Sequence, residues 1–166
     1  FLDNVTVNMD ASKGGFNAAD TWKNNISGKG GLTKEGSGSL SLLGNNSYKG
    51  GTTVTAGTLA AENDNALGDG RLTLAGGNLT LSAKNVVVKG NYTQSGKGSL
   101  NVNSGDKVSV SGTAKLGGKL VVKDVKGLKS GVVILKSNKL SGKFAHQSLP
   151  KGWHLAYTTH NVKLVK

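Results

Sequence analysis

The sequence consists of short runs of alternating apolar and polar residues, and Gly, Asn, Ser or Asp separates nearly every run from the next. The stretch GNNSYKGGTTVTAGTLAAENDNALG, residues 44–68, is typical and reads as corner, strand, corner, strand. An alternation of period two predicts half-buried β-strands. Gly and Asn suit the corners because both adopt positive φ at little cost. This pattern restricts the chain to an all-β fold with many short strands.

Eleven runs predict strands, and they are distributed along the whole chain. The predicted strands cover residues 5–7, 39–43, 52–56, 71–75, 78–82, 85–89, 99–103, 107–111, 119–123, 131–135 and 161–165. The only helical signal is a single turn at residues 62–68. Alternation also assigns faces: Leu120 and Val122 point inward, as do Val54 and Leu59, while lysines lie on the outer face by default.

Three successive fragments, beginning near residues 36, 68 and 96, repeat a loose G-x-G-x-L-x-L/V pattern. A period of roughly 20–25 residues with three short strands predicts a solenoid in which coils stack on one another. At about 23 residues per coil, the chain would form about seven coils and a rod of roughly 35 Å. The strand signals alone leave a β-sandwich open as the alternative.

Composition excludes several other classes of protein. The chain has 26 Gly but one Pro, which excludes collagen, and no Cys, which excludes disulfides and thiolate metal sites. No run approaches the ~18 apolar residues of a membrane-spanning helix. The chain starts at Phe1 without a signal-peptide pattern, which suggests a piece of something larger or a processed product.

Positive charge is concentrated in the C-terminal part of the chain. Of the net charge of +12, residues 1–106 contribute +1 and residues 107–166 contribute +11, with Asp124 as the only acid of the second segment. A lysine-rich face predicts sequence-independent binding of polyanions such as DNA, sulfated glycans or lipopolysaccharide, and solubility is the alternative explanation. The candidate residues are Lys107, Lys115, Lys119, Lys123, Lys126, Lys129, Lys136, Lys139 and Lys143. Stacking of coils could align several of them into a stripe.

No motif indicates catalysis, a cofactor or a metal. His146, His154 and His160 lack the spacing of a helical zinc site, and no nucleophile elbow occurs. We therefore expect no enzyme activity in this chain.

Aromatic residues near the C-terminus suggest a cap. Phe144, Trp153 and Tyr157 are expected to pack on the last coil and close its apolar interior, and a sugar-binding platform is the alternative.

Residues 26–68 resemble the passenger-associated repeat of bacterial autotransporters, the proteins of type V secretion. The matching positions are Ile26, Gly28, Gly31, Leu32, Lys34, Gly36, Gly38, Leu40, Leu42, Gly44, Asn46, Tyr48, Gly50, Thr52, Val54, Gly57, Thr58 and Leu59. Residues 98–166 resemble the autochaperone region at the C-terminal end of such passengers. Residues 1–25 resemble the junction that follows the protease module of subtilisin-type autotransporters.

The resemblance implies a right-handed parallel β-helix, capped at its C-terminal end. It divides one domain, 1–166, into a junction at 1–25, repeat coils at 26–97 and basic autochaperone-like coils at 98–166. It also implies export from a Gram-negative cell through the protein's own outer-membrane β-barrel translocator, which is not in this chain.

The expected function is adhesion, self-association and biofilm formation at the cell surface. Like passengers on other cells, extracellular DNA and sulfated glycans are the expected partners. The alternative is a non-catalytic stem and folding nucleus behind an upstream subtilisin-like serine protease.

Overall fold

Two parallel sheets follow the length of the chain in the computed structural model, which describes residues 1–10, 12 and 19–166. The regular elements of these residues are all strands. In chain order they are β1 (Val5–Asn8), β2 (Ala19–Trp22), β3 (Leu32–Glu35), β4 (Ser39–Leu42), β5 (Thr52–Val54), β6 (Thr58–Ala61), β7 (Leu72–Leu74), β8 (Asn78–Leu81), β9 (Asn85–Val88), β10 (Tyr92–Gln94), β11 (Ser99–Val102), β12 (Lys107–Leu116), β13 (Lys119–Val122), β14 (Val132–Gly142), β15 (His146–Ser148), β16 (His154–Tyr157) and β17 (Asn161–Val165). The predicted junction lies partly outside the described residues, at positions 11 and 13–18.

Each turn of the chain contributes one strand to each sheet. The first sheet has the order β1-β3-β5-β7-β10-β12-β14-β17-β16, and the second has the order β15-β13-β11-β8-β6-β4-β2. All pairs are parallel except β14 with β17 and β16 with β17. This is a parallel β-helix, so the predicted fold class is confirmed and the sandwich alternative is excluded.

The repeat is shorter and simpler than predicted. Leu32, Thr52, Leu72 and Tyr92 are successive register partners, so these turns contain 20 residues each. Most turns have two strands, because the third side is formed by hydrogen-bonded corners. A third-side strand occurs only in the C-terminal half, where β9 pairs with the first part of β12 and that part pairs with β14.

The coil count also differs from the predicted seven. Five turns, from β3–β4 to β12–β13, have a neighbouring turn on both sides, and the turns β1–β2 and β14–β15 lie at the ends. The prediction applied one repeat length throughout, whereas residues beyond β15 form an antiparallel hairpin instead of a further coil.

A column of leucines fills the interior. Leu40, Leu59, Leu79, Leu100 and Leu120 are successive register partners on the second sheet, and each is at most 1% exposed. Burying each such side chain contributes about 1.5–3 kcal/mol. The inward directions assigned from alternation are therefore correct.

Glycine and asparagine have different roles at the corners. Gly57 has φ +65°, and a Cβ there would lie 2.3 Å from the carbonyl oxygen of Gly36. Among the described residues, positive φ occurs only at glycine, so the expectation that Asn would share this role is wrong. Asn46 instead links coils: its Oδ1 accepts from Ile26 N at 2.8 Å, and its Nδ2 donates to Ala66 O at 2.7 Å. A short polar side chain thus replaces backbone pairing where a corner interrupts it.

Charges also link consecutive turns at a corner. Lys49 Nζ donates to Asp69 Oδ2 at 2.6 Å, and Lys89 Nζ contacts Asp69 Oδ1. The hydrogen bonds from Lys49 and Lys89 lower the pKa of Asp69.

Leu79→Ala is expected to lower the free energy of unfolding by about 3 kcal/mol, because it leaves a cavity in the middle of the leucine column. Thr73→Ala, on an outward position of a neighbouring turn, should change it by less than about 0.5 kcal/mol. Urea unfolding followed by circular dichroism measures both, and equal losses would contradict the assigned faces.

Asp69→Asn is expected to lower the unfolding free energy by up to about 1 kcal/mol at pH 7. Because the pKa of Asp69 is lowered in the folded state, its contribution is present above the unfolded pKa of about 3.9 and is lost as the pH falls below it. Unfolding at several pH values measures the difference, with Asp3→Asn as the control. A difference that is the same at pH 7 and at about pH 2 would contradict the role of the ion pairs.

Candidate polyanion-binding surface

The nine candidate lysines surround the C-terminal turns of the helix, and we call them the lysine collar. Eight are exposed, and Lys107 is half-buried. Strands β12, β13 and β14 position most of the collar, since lysines alternate there with buried Val, Leu or Ala. The exposure expected from alternation is therefore present.

The collar extends around the turns and does not form a single stripe. Lys115 lies between Thr93 and Ser141 in register, and Lys119 lies between Ser99 and His146. No two collar lysines are register partners among the pairs that the structure describes. Staggering keeps like charges apart, because directly opposed like charges destabilise a sheet.

The collar distributes its charge over all sides of the last turns. Lys115 and Lys139 lie on the first sheet, Lys119 lies on the second, and Lys107 and Lys136 lie on the third side. Lys126 and Lys129 lie on the connection between β13 and β14.

The positive charges of the collar are not neutralised within the chain. Within the described part of the chain, ion pairs involve Lys49, Lys84 and Lys89, none of which belongs to the collar. Asp124 accepts a hydrogen bond from the backbone of Lys126 at 2.8 Å. Lys143 Nζ lies 5.4 Å from the ring centroid of Tyr157, a cation–π contact. The collar can therefore attract external anions.

Lys34 corrects the expectation that lysines lie outside. It is fully buried, and its Nζ donates to Glu35 O at 2.6 Å and to Gly36 O at 3.0 Å. Burial lowers the pKa of its ammonium group. Because Nζ is held by carbonyl groups at a corner, Lys34 has a structural role and is not available to a ligand.

The aromatic cap is present at the C-terminal end. Phe144 is buried, and Trp153 and Tyr157 are partly buried against the core. The Phe144 backbone N–H donates to the Tyr157 hydroxyl at 3.3 Å, and burial raises the pKa of that hydroxyl. These rings face the interior, as the cap interpretation predicted.

A polar groove on the third side was not predicted from the sequence. It has a volume of about 520 Å³ and lies beside the strands β12, β14 and β17. The lining residues are Val87, Ser109, Val110, Ser111, Lys136, Ser137, Asn138, His160 and Asn161. A β-bulge in β12 forms part of it, and no local motif marks that bulge in the sequence.

The described residues contain no cluster of three or more His, Asp or Glu side chains arranged to hold a metal ion. Within the same residues, no helix is long and apolar enough to cross a membrane.

Comparisons with known proteins point to one group. Residues 32–61 match the family described as the passenger-associated-transport-repeat. An extracellular serine protease of Serratia marcescens is 43% identical over 81 residues, which is 49% of this chain and 6% of that protein. The Neisserial autotransporter lipoprotein NalP of Neisseria meningitidis is 34% identical over 131 residues, covering 66% of the chain and 12% of NalP.

The adhesin BmaC autotransporter of Brucella suis is 34% identical over 114 residues, covering 68% of the chain and 3% of BmaC. The chain thus spans a small part of the length of each of these relatives, at most 12%.

Proposed function

The chain is part of an autotransporter passenger domain, displayed on or secreted from a Gram-negative bacterium, and from this premise we propose that it is the stem and folding nucleus of that passenger. The observation that supports the proposal best is the change of strand direction at the C-terminal end. There β17 pairs antiparallel with β14 and buries Val162 and Leu164 completely. One end of the solenoid is therefore closed by its own sequence.

The closing hairpin is local, whereas the coils are not. Only three residues separate β16 from β17, while parallel partners in the coils are about 20 residues apart. Closing a short loop costs less entropy, so the hairpin and β14 can form first. The coils can then add one at a time, each stacking on the turn already formed, as in other solenoids.

The relatives support the same role. They are named as an extracellular serine protease, an autotransporter lipoprotein and an adhesin, and each shares only a small part of its length with this chain. A segment common to proteins with such different names serves what they have in common, which is display and folding. Here the stem would remain non-catalytic and connect any working domain to the translocator of the longer parent protein.

Val162→Ala in the cap and Val54→Ala in an inner turn remove the same atoms from fully buried sites. If the cap nucleates folding, Val162→Ala slows refolding, while Val54→Ala mainly speeds unfolding, each with a total loss of about 2 kcal/mol. Stopped-flow refolding and unfolding in denaturant measure both rates. The reverse pattern would contradict nucleation at the C-terminal end.

We propose adhesion as a second function, carried by the lysine collar. The support is that nine lysines around adjacent turns have no ion-pair partner among the described residues. Lysine supplies charge without the fork geometry that reads bases, so the ligand would be any polyanion, including extracellular DNA and heparan-type glycans. Binding to a shared polyanionic matrix would hold cells together and promote autoaggregation and biofilm formation.

The combined substitutions Lys115→Gln, Lys119→Gln and Lys123→Gln are expected to weaken binding to duplex DNA and to heparin. They should also reduce the slope of log affinity against log salt by roughly 0.9 for each phosphate that the protein no longer neutralises. The matched control replaces the exposed Lys23, Lys29 and Lys97 with Gln and should have little effect. Binding by the unmodified chain that persists in 1 M NaCl would contradict the proposal.

A further inference from the structure

The polar groove is produced by a mismatch between neighbouring strands. Val110 pairs with Ser137 and Thr113 with Lys139, so two residues of β12 lie opposite the single residue Asn138 of β14. Such a bulge redirects side chains and is frequent beside functional sites. Ser111, in the bulge, is exposed. The groove is therefore a specific feature of one position in an otherwise regular stack.

A tight turn holds His160 at the edge of this groove. The Thr158 hydroxyl accepts from the backbone N–H groups of His160 and Asn161, at 3.3 and 3.0 Å. Two backbone bonds attach the turn to β14, from Ser137 N to His160 O and from Leu140 N to Thr159 O, both 2.8 Å.

The ring of His160 is attached as well. Its Nδ1 lies 2.7 Å from Asn138 O, and because a carbonyl can only accept, Nδ1 carries the proton. Nε2 has no hydrogen-bond partner among the residues that the structure describes. The imidazole is thus oriented before any ligand arrives, with one nitrogen available.

The lining combines one cation with neutral polar groups. Lys136 is exposed and is the register partner of both Ser109 and Asn161. Val87, the register partner of Ser109 on β9, adds a partly exposed apolar surface. Neither arginine nor an aromatic ring lines the groove, so nothing there could stack on a nucleobase.

We propose that this groove binds a carboxylate-bearing sugar residue of an acidic polysaccharide. The Lys136 ammonium group pairs with the carboxylate, and His160 Nε2 accepts a hydrogen bond from a ring hydroxyl. Ser111 and Asn161 supply further polar groups for hydroxyls, and the C–H face of the sugar ring packs on Val87. This deepens the adhesion proposal and rests on it, since Lys136 belongs to the lysine collar.

The test titrates the 166-residue chain with tetragalacturonate, with its fully methyl-esterified form and with a single-stranded DNA pentamer, at physiological salt. Calorimetry measures affinity, and NMR records amide shifts. We expect the methyl ester to bind at least about tenfold more weakly than the acid, because it lacks the charge. Lys136→Gln should weaken binding of the acid about tenfold, and His160→Gln should also weaken it.

Lys139→Gln is the matched control, since Lys139 is exposed on the same strand but outside the groove lining. It should change affinity by less than about twofold. Amide shifts of the unmodified chain should be confined to the groove, including Ser109, Ser111 and Asn138, a result that does not depend on the folding of any variant.

Three results would overturn the inference: no binding of tetragalacturonate, equal losses for Lys136→Gln and Lys139→Gln, or equal affinity for the DNA pentamer. Failure of the groove is distinguishable from failure of the collar. Long heparin chains that still bind in a salt-dependent manner, with shifts spread over the collar, would leave the collar intact and reject the groove. Binding of tetragalacturonate without binding of heparin would reject the collar as the adhesive surface.

Discussion

The hydrogen bonding of each turn to the turn 20 residues away determines the rest of this structure. Leu32 N donates to Gly51 O at 2.9 Å, and Thr52 N donates to Arg71 O at 2.8 Å in the next turn. With that register constant, equivalent residues stack on one another, so inward columns become leucine and corners become glycine. Departures from the register, as at the bulge in β12, must be accommodated locally, and there the surface acquires its distinct shape.

Sequence reasoning found the strands whose alternation is apolar and polar, and it missed strands that bury polar side chains. Strand β3 contains the buried Lys34, and β10 contains the buried Gln94. Gln94 Nε2 donates to Gly98 O at 2.9 Å and to Lys119 O at 2.8 Å. These side chains point inward because corner carbonyl groups of the same and adjacent turns satisfy them. A pattern rule cannot detect this, since the carbonyl acceptors exist only in the stacked state.

The candidate surface was predictable in its composition but not in its arrangement. Alternation predicted that lysines such as Lys115 and Lys119 would be exposed, yet their stacked neighbours are uncharged. Turn lengths change from 20 residues to 22 between Tyr92 and Ala114 and to 26 between Ala114 and Leu140. Such changes shift which residues meet across turns, so neither the staggering nor the groove can be read from local spacing. Identifying His160 as a groove residue required the position of its turn against β14.

The antiparallel pairing of β17 has a consequence for how the molecule behaves among its own copies. A stack of parallel strands has an unpaired edge that could accept another stack, and repeated addition would produce a fibre. At the C-terminal end, β17 and β16 run against the direction that a further parallel coil would need, and the terminal strand of the second sheet, β15, has only three residues. The rod therefore carries its own terminator, and crowded copies at a cell surface are protected at this end against polymerising end to end.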